Sequence, residues 1–431
     1  MGKRTTMDIT RLFRFPPDLP ISLRSNFAHL YMDISWWGLY AGATAAFLSI
    51  YATRCGATPQ QIGLLTAGPA TLSMLLSLPV GLLIRRYPAR VVSGIAAGIS
   101  RLMFLVYAFL PVLFPLEQQF DAVLITTLII TVPTTVVNIS FSQFFMEGVP
   151  LQWRAMVVGT RGALFAILSF VFTLISGQIL TWVAFPTGYQ IVFVIGAIGG
   201  MMTTYHILHV YPAIAADPLT LRAAPEPVAV QAARPAGLRR FMPELDDTGR
   251  HYVKVIGLLF LFNTTNNMVA PIVPSLLVNT LKLSDEMISI GTATSSMLAF
   301  VTALVMTQAA RRINNRAGTA IGACLLTLQA IFLALANGPL LYLGAAVLAG
   351  IASGFLMTSQ YNYHLENVPP HDQSVWLSRN LLLGNVAVLL GALIGPYLAG
   401  IVNTAYALLF FGLLRLLTGL AVLKYGARKA G

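Results

Sequence analysis

Runs of about 20 mostly apolar residues, the length that a helix needs to cross a bilayer, recur along the whole chain. Reading between charged and Pro/Gly-rich breaks gives twelve such windows: 28–52, 61–84, 91–114, 121–145, 155–181, 188–211, 253–279, 286–309, 317–336, 339–363, 377–402 and 404–424. Only 10% of the 431 residues are charged, against about 25% in ordinary soluble domains. The sequence therefore predicts an all-α integral membrane protein with twelve transmembrane helices, and it excludes a soluble enzyme and a nucleic-acid-binding domain.

Positive charges are divided unequally between the two sides of these spans. Of the 27 Lys and Arg residues, 21 lie on one side together with both termini, and two, Arg54 and Lys282, lie in loops on the other side. The remaining four lie within spans: Arg101, Arg161, Arg379 and Arg415. Cytoplasmic loops are enriched in Lys and Arg, so we predict a multi-pass protein of the cell membrane with both termini in the cytoplasm. We call the side of Arg54 and Lys282 the outer side.

One segment interrupts the series of apolar windows. Residues 212–252 are rich in Ala and Pro, carry several charges and have no sustained apolar period, which is typical of an irregular linker. We predict that this cytoplasmic linker joins two six-helix bundles, residues 28–211 and 253–424. Residues 1–27 are predicted to form a basic cytoplasmic arm, and residues 425–431 a cytoplasmic tail.

The two halves of the chain are related by an internal repeat. Shifting Thr58–Arg90 by 226 positions lays it on Ser284–Arg316 without a gap, and eight of the 33 pairs are identical. Three of these are arginine pairs: Arg85/Arg311, Arg86/Arg312 and Arg90/Arg316. A shift of 219 lays Glu147-Gly-Val-Pro150 on Glu366-Asn-Val-Pro369. Matched charges in loops are harder to obtain by chance than matched apolar residues, so we predict two parallel, pseudo-symmetric repeats.

With these features the chain resembles the major facilitator superfamily (MFS) over about residues 26–425. Gly391-Ala-Leu-Ile-Gly395-Pro396, in the eleventh span, is similar to the Gly-Pro packing motif of such transporters. The loop after the second span departs from the family pattern Gly-x-x-x-Asp-Arg/Lys-x-Gly, because Arg85 stands at the Asp position and Pro88 at the second Gly. The resemblance implies the MFS fold, transport instead of enzymatic catalysis, no cofactor and a monomeric state.

Polar and aromatic residues form stripes on spans one and four. Alternating steps of four and three place six residues on one face of span one: Asp33, Trp37, Tyr40, Thr44, Phe47 and Tyr51. Span four has the same rhythm at Thr131, Thr135, Asn138 and Ser142. The resemblance places both helices at the central cavity. Helix–helix packing through interhelical hydrogen bonds is the alternative interpretation.

The repeat extends the predicted cavity to the second half. It carries Trp37 and Tyr40 to Asn263 and Asn266, and Asn138 and Ser142 to Met357 and Tyr361. The polar cluster 263–267 precedes two prolines, which predicts either a locally broken helix or a simple kink. The predicted cavity residues are Trp37, Tyr40, Thr44, Thr135, Asn138, Ser142, Asn263, Asn266, Asn267, Met357 and Tyr361.

Asp33 is the only carboxylate well inside a predicted span. A lone carboxylate in hydrocarbon must be paired or protonated, so Asp33 is either a proton-coupling residue or the partner of a buried arginine, Arg101 or Arg161. Arg379 is the repeat counterpart of Arg161 and a further predicted buried charge. Leu259 stands where the repeat would place a second aspartate.

A cytoplasmic gate is predicted where acidic residues end spans four and ten beside basic loops. Ion pairs there would break as the bundles rock, although positive-inside topology alone also explains the arginines. The predicted gate residues are Arg85, Arg86, Arg90, Glu147, Arg311, Arg312, Arg316 and Glu366.

These features predict a secondary transporter that moves a small organic solute by alternating access. The aromatic stripe favours an amphipathic solute, and the resemblance favours proton-coupled efflux, because superfamily members with such cavities are often exporters. The alternatives are uptake or facilitated diffusion of a polar metabolite, and a non-transporting sensor or lipid-moving relative. The predicted partners are a small molecule, protons and the lipid bilayer, without nucleic acid. His206 and His209 could share a helix face, but no third ligand is evident, so no metal is predicted.

Overall fold

The computed structural model describes residues 15, 19–84, 87–211, 247–309, 313–369 and 373–426, and within these ranges all regular secondary structure is helical. Ten of the described helices are long and apolar enough to cross a membrane, judged by length and composition. The two other predicted spans, the first and the second, are helical as well. The predicted fold class is confirmed.

Six helical units form the N-terminal bundle. The first unit, α1, comprises Ile21–Tyr40, the π-helical turn Ala41–Ala45 and Ala46–Arg54. The others are α2 (Pro59–Ile84), α3 (Ala89–Leu113), α4 (Leu116–Gly148), α5 (Leu151–Trp182) and α6 (Thr187–Leu208).

Six further units form the C-terminal bundle. Unit α7 comprises Asp247–Val269, the short helix Ile272–Ser275 and the π-helical turn Leu276–Thr280. The others are α8 (Asp285–Ala309), α9 (Asn315–Ala334), α10 (Pro339–Glu366), α11 (Gln373–Val402) and α12 (Thr404–Tyr425). Asparagine side chains cap α9 and α12, where the Asn314 and Asn403 Oδ1 atoms each accept from the backbone N–H two residues later, at 2.9 Å.

The first helix of each bundle begins well before its apolar window, by seven residues in α1 and six in α7. Unit α1 begins at Ile21, inside the predicted basic arm, because Leu23 and Phe27 are buried in a cluster that also contains side chains of α4 and α6. The Asn26 amide donates to the Tyr211 carbonyl at 2.7 Å and ties the start of α1 to the end of α6. Unit α7 begins at Asp247, inside the predicted linker, whose residues 212–246 lie outside the described part of the chain.

The repeat seen in the sequence is present in the helix bounds. A shift of 226 carries the first and last residues of α1, 21 and 54, onto those of α7, 247 and 280. It also carries the π-helical turn 41–45 onto 267–271, where Val269 ends the long helix of α7 and Ile272 begins the next. The helix is therefore broken here, as one of the two predicted alternatives required.

The bundles meet where α2 packs on α11, but only along the outer halves of these helices. A Cβ atom added to Gly63 of α2 would overlap the Ala392 carbonyl of α11. Gly81 lies 18 residues further along α2, about 27 Å away, and a Cβ atom there would meet nothing within 4 Å; the same holds for Gly384 of α11. The two helices therefore diverge toward the predicted cytoplasmic side.

The second contact between the bundles, α5 on α8, diverges in the same direction. A Cβ atom added to Gly177 of α5 would overlap Ser289 of α8. A Cβ atom added to Gly159 or Gly162, near the opposite end of α5, would meet nothing within 4 Å. Among the residues that the structure describes, the bundles are thus in contact on the outer side and separate toward the side of their predicted basic loops.

Candidate functional site

We infer a central gap between α4 of the first bundle and α10 of the second, because these two helices are not among the helix pairs that pack extensively on each other. Asn138 and Ser142 are exposed on α4. On one side of them around the helix, Thr135 contacts Ser73 of α2 at 2.9 Å. On the other side, the ring of Phe141 faces Arg161 of α5. Since α2 and α5 form the most extensive contacts with the other bundle, we infer that the exposed face of α4 looks into the gap.

The facing helix, α10, has exposed residues in a similar arrangement. Met357 and Tyr361 of α10 are 71% and 62% exposed. Their face lies between Gly354, which packs closely on α8, and Gln360, which donates to the Asn263 Oδ1 of α7 at 3.0 Å. The repeat pairs Asn138 with Met357 and Ser142 with Tyr361, and the structure places all four on the gap. Their side chains are uncharged, and three of them can form hydrogen bonds.

The outer end of the gap is closed by polar contacts between the bundles, which we call the outer latch. Arg54, at the end of α1, donates to Asp285 at the start of α8 (Nη2–Oδ1 3.0 Å) and to the Leu283 carbonyl at 3.0 Å. The Tyr189 hydroxyl of α6 donates to the same Asp285 oxygen at 2.9 Å. Sequence reasoning missed this site, because Arg54 and Asp285 are far apart in the chain and carry no motif.

Two further hydrogen bonds strengthen the outer latch. Gln178 of α5 donates to the Glu286 carboxylate of α8 at 3.1 Å. Gln60 of α2 donates to the Pro396 carbonyl of α11 at 3.1 Å. Each of the two most extensive helix pairs between the bundles thus has its own polar contact at the outer end. The closure of this side depends on several contacts instead of one.

The predicted gate on the opposite side is only partly described. Arg85, Arg86, Arg311 and Arg312 lie outside the described residues. Arg90 contacts its own bundle, where its Nε donates to the Leu208 carbonyl at 3.1 Å and its guanidinium lies over the ring of Tyr211. Glu366 accepts from Asn315 of its own bundle at 2.6 Å. The gating role of Glu147, Arg316 and the other members stays a prediction.

The aromatic stripe of α1 does not face the gap. The rings of Trp37 and Tyr40 lie 4.7 Å apart, and Tyr40 stacks on Phe104 of α3 at 4.2 Å. Arg101 of α3 lies over the Trp37 ring at 4.5 Å. Thr44 is fully buried, because the π-helical turn brings it against Gly196 of α6. These contacts agree with the alternative interpretation of the stripe, helix–helix packing, because the side chains pack against α3 and α6.

Other predicted cavity residues form contacts inside their own bundles. Thr135 is 4% exposed and also donates to the Thr131 carbonyl at 2.8 Å. The Asn267 amide donates to the Asn263 carbonyl one turn earlier, at 2.8 Å. The carbonyl of Asn266 accepts from Arg415 Nη2 of α12 at 2.8 Å. The polar cluster of α7 thus belongs to a regular helix just before the break.

Asp33 forms an ion pair with Arg161. The distance from Asp33 Oδ2 to Arg161 Nη1 is 3.0 Å, and the two side chains are only 6% and 11% exposed. The same guanidinium nitrogen also contacts the Leu30 carbonyl. Of the two arginines that the sequence offered, the structure therefore brings Arg161 to the carboxylate, and the pair ties α1 to α5.

The other buried arginines have no carboxylate within salt-bridge distance among the described residues. Arg101 bonds the Ser100 hydroxyl at 2.8 Å. Arg379 lies over the Trp376 ring at 4.7 Å, and its Nη2 is buried without a hydrogen-bond partner. Leu259, at the repeat position of Asp33, is 3% exposed and packs in an apolar cluster. Among the described residues, a buried ion pair of this kind is therefore found only in the first bundle, between Asp33 and Arg161.

Comparison with known proteins agrees with this architecture. Residues 255–430 match the family model described as Major Facilitator Superfamily. None of the curated protein sequences matches the chain. Among solved structures, the nucleoside transporter NupG is similar, with 15% identity, a TM-score of 0.62 and coverage of 95% of this chain and 100% of that one.

Two further structures have the same fold. The D-xylose-proton symporter has 13% identity and a TM-score of 0.68, over 94% of this chain and 98% of that one. A partially occluded inward-open conformation of the xylose transporter XylE from E. coli has 13% identity and a TM-score of 0.68, over 94% of this chain and 99% of that one. The resemblance predicted from the sequence is confirmed.

Proposed function

We propose that the chain is a secondary transporter of the major facilitator type working by alternating access, because its second half matches that family's sequence model and both halves share the fold of solved transporters. The observation that carries this proposal is the central gap, which is closed by the outer latch at one end and open at the other. In alternating access, a second state would open the outer latch and close the opposite side around the same gap. No enzymatic reaction is needed for this function.

The gap favours a small, uncharged organic solute that forms hydrogen bonds. Asn138, Ser142 and Tyr361 offer amide and hydroxyl groups, while Met357 offers an adaptable apolar surface. The aromatic side chains that favoured an exported amphipathic solute pack inside the first bundle, so the argument for efflux loses its basis. A nucleoside transporter and a D-xylose-proton symporter are among the similar structures, and uptake of a polar metabolite is therefore the direction that we propose.

We further propose that Asp33 couples transport to protons. When the Asp33 carboxylate takes up a proton, its charge attraction for the Arg161 guanidinium is lost. Arg161 keeps its contact with the Leu30 carbonyl and its position over the Phe141 ring. The pair lies between α1 and α5, and α5 is one of the helices that reach the other bundle. Protonation would thus weaken the contact between α1 and α5, and α5 is a helix of the interface between the bundles.

The proposal is tested by solute exchange in proteoliposomes. The probes are a radiolabelled nucleoside, radiolabelled xylose and a cationic amphipathic dye, each with and without an imposed pH gradient. We expect exchange of a neutral solute, and a loss of at least tenfold in Asn138→Ala and Tyr361→Phe. Tyr406→Phe is the matched control, because Tyr406 is similarly exposed on α12 but is not part of the gap.

Two results would overturn parts of the proposal. Exchange of the dye alone would support an amphipathic solute and contradict the proposal of a neutral solute. Equal exchange in wild type and in both gap variants would contradict the assignment of the gap. For coupling, Asp33→Asn is expected to exchange solute passively and to lose its response to the pH gradient. An unchanged response would show that Asp33 is a structural residue only.

A further inference from the structure

Three histidines meet near the end of the first bundle that carries the basic loops. Nδ1 of His29 in α1 lies 2.9 Å from Nδ1 of His206 in α6. The ring of His209 lies 5.2 Å from that of His29, with an angle of 18° between the planes. At 2.9 Å one ring nitrogen must donate and the other must accept, so a single proton lies in the hydrogen bond between His29 and His206.

The cluster leads from the protein surface into the bundle. Tyr205 is 50% exposed, and its ring lies 4.2 Å from that of His209. His209 is half-buried at the end of α6, and its Nδ1 lies 2.7 Å from the Tyr205 carbonyl. His206, one turn further inside, is only 5% exposed. The outer member of the cluster is therefore accessible from the surface of the protein, while the hydrogen-bonded pair lies among side chains.

Asp33 lies one helical turn further along α1 than His29. His29 and Asp33 are four residues apart, so their side chains share one face of α1 and are neighbours. Asp33 is the carboxylate to which we assign proton coupling. The sequence alone did not indicate this link, because His29 is remote from His206 and His209 in the chain, and only the packing of α1 on α6 brings them together.

Fixed charges surround the pair on several sides. Arg161 of α5 is bonded to Asp33, and Arg101 of α3 lies one further turn along, over the Trp37 ring. Arg90 of α3 binds the Leu208 carbonyl next to the cluster. Because His206 is buried and the His209 ring lies beside the pair, an additional charge held on the pair is unfavourable. A proton is therefore better passed through the pair than stored on it.

We propose that His29 and His206 form a proton relay between the surface near His209 and Asp33. This inference rests on the proposed function, since it names the route of the coupled proton. His206 Nε2 accepts a proton from the His209 side, and the Nδ1 proton of His206 moves to Nδ1 of His29. His29 then gives its Nε2 proton to the Asp33 carboxylate. The pair carries no net charge before or after, and exchange of the ring tautomers resets it.

The shared proton is tested by NMR of the purified protein labelled with ¹⁵N-histidine, without any solute. We expect one strongly deshielded proton coupled to two Nδ1 atoms, lost in both His29→Gln and His206→Gln. His251→Gln is the matched control, because His251 contacts Asn367 in the other bundle. Separate titration of His29 and His206 as two ordinary imidazoles in the wild type would overturn the proposal, whatever the variants do.

The relay itself is tested by a pH jump with a pH-sensitive dye inside proteoliposomes. We expect His206→Gln to slow gradient-driven solute uptake at least tenfold and to leave solute exchange without a gradient unchanged. An unaltered driven rate would contradict the relay. The two proposals fail in different ways: absence of all exchange in the wild type contradicts the transport function, whereas driven uptake with separately titrating histidines contradicts only the relay.

Discussion

At the residue scale, one carboxylate distinguishes the two bundles. Asp33 and Arg161 neutralise each other across α1 and α5, whereas the repeat counterparts, Leu259 and Arg379, form no such pair. Removing charges from water is costly, and a buried pair is tolerated only when its geometry is good. A costly pair kept in one half of a pseudo-symmetric protein is best explained by a role that only this half performs.

The first prediction concerns the stability of this pair. Asp33→Asn should lower the free energy of unfolding by about 3–5 kcal/mol, because the buried Arg161 guanidinium loses its counter-ion. Thermal and denaturant unfolding in detergent, followed by helical circular dichroism, measure the loss. Asp33→Asn combined with Arg161→Gln should recover part of it. Arg379→Gln is the repeat-matched control, and a loss as large as that of Asp33→Asn would contradict the assignment.

The second prediction concerns the thiol of Cys55, which follows α1 on the outer side. Burial raises the pKa of the Cys55 thiol to about 11, and the thiol donates to the Gln119 side chain at 3.2 Å. Only about one thiol in a thousand is then ionised at pH 8, and the thiolate is the reactive form. We expect labelling of Cys55 by a maleimide, in a Cys324→Ser background, to be slow at pH 8 and faster as the pH rises toward 11.

The control for this labelling is a cysteine that is not buried. Gln118→Cys, in a chain whose two native cysteines are replaced by serine, places a thiol at an exposed position at the start of α4. It should react at least tenfold faster than Cys55 at pH 8. Equal rates for the two thiols would show that Cys55 is not shielded as described.

At the element scale, irregular turns and close helix contacts occur together. The π-helical turn of α1 lies against Gly196 of α6, and the break of α7 lies just after Asn266, whose carbonyl is held by Arg415 of α12. At the same position in each repeat, the helix thus departs from regular α-helical geometry and contacts the last helix of its bundle, α6 or α12. The first half uses a glycine for this contact and the second half a buried arginine.

The third prediction uses two glycines of one helix. Gly63→Leu should oppose closure of the outer side, because its side chain would overlap the Ala392 carbonyl. Overpacking costs about 1–3 kcal/mol, which corresponds to a shift of about 5- to 150-fold in the ratio of the two states. Distances between spin labels on the two bundles measure this ratio. Gly81→Leu, in open space here, should instead favour the present state.

At the scale of the whole molecule, the protein is held in one of two states by contacts between bundles that are otherwise separate. The outer latch joins the bundles through polar side chains at the surface, and the glycines below it allow the helices to approach closely. Contacts of this kind can be broken without unfolding either bundle. A rigid-body motion of the two bundles is therefore the natural change of conformation for this fold.

The fourth prediction concerns the outer latch. Arg54 and Asp285 are 27% and 13% exposed, and a partly exposed ion pair contributes up to about 1 kcal/mol. Arg54→Gln and Asp285→Asn should each shift the population about fivefold toward the outward-open state, as measured by spin-label distances across the outer side. In the double variant, the free-energy change that shifts the population should be smaller than the sum of the changes in the two single variants. Additive effects would mean that the two residues are not coupled.

The sequence by itself determined the fold class, the number of spans and the repeat. These follow from local properties: the length of apolar runs sets the helices, and matched charges reveal the repeat without any knowledge of packing. The stripe of Asn138 and Ser142, with its repeat counterparts Met357 and Tyr361, also predicted four positions that are exposed in the structure, and their role in binding stays a prediction. Local spacing was sufficient there, because α4 and α10 present these positions to the space between the bundles.

Only the tertiary structure decided which way the other stripes face. Asp33, Trp37 and Thr44 share one face of α1 by spacing, but spacing does not say whether that face meets the gap or the neighbouring helices α3, α5 and α6. The outer latch and the histidine pair depend in the same way on residues from distant parts of the chain. A helical period fixes directions within one helix, whereas contacts between helices are fixed by the packing of all twelve.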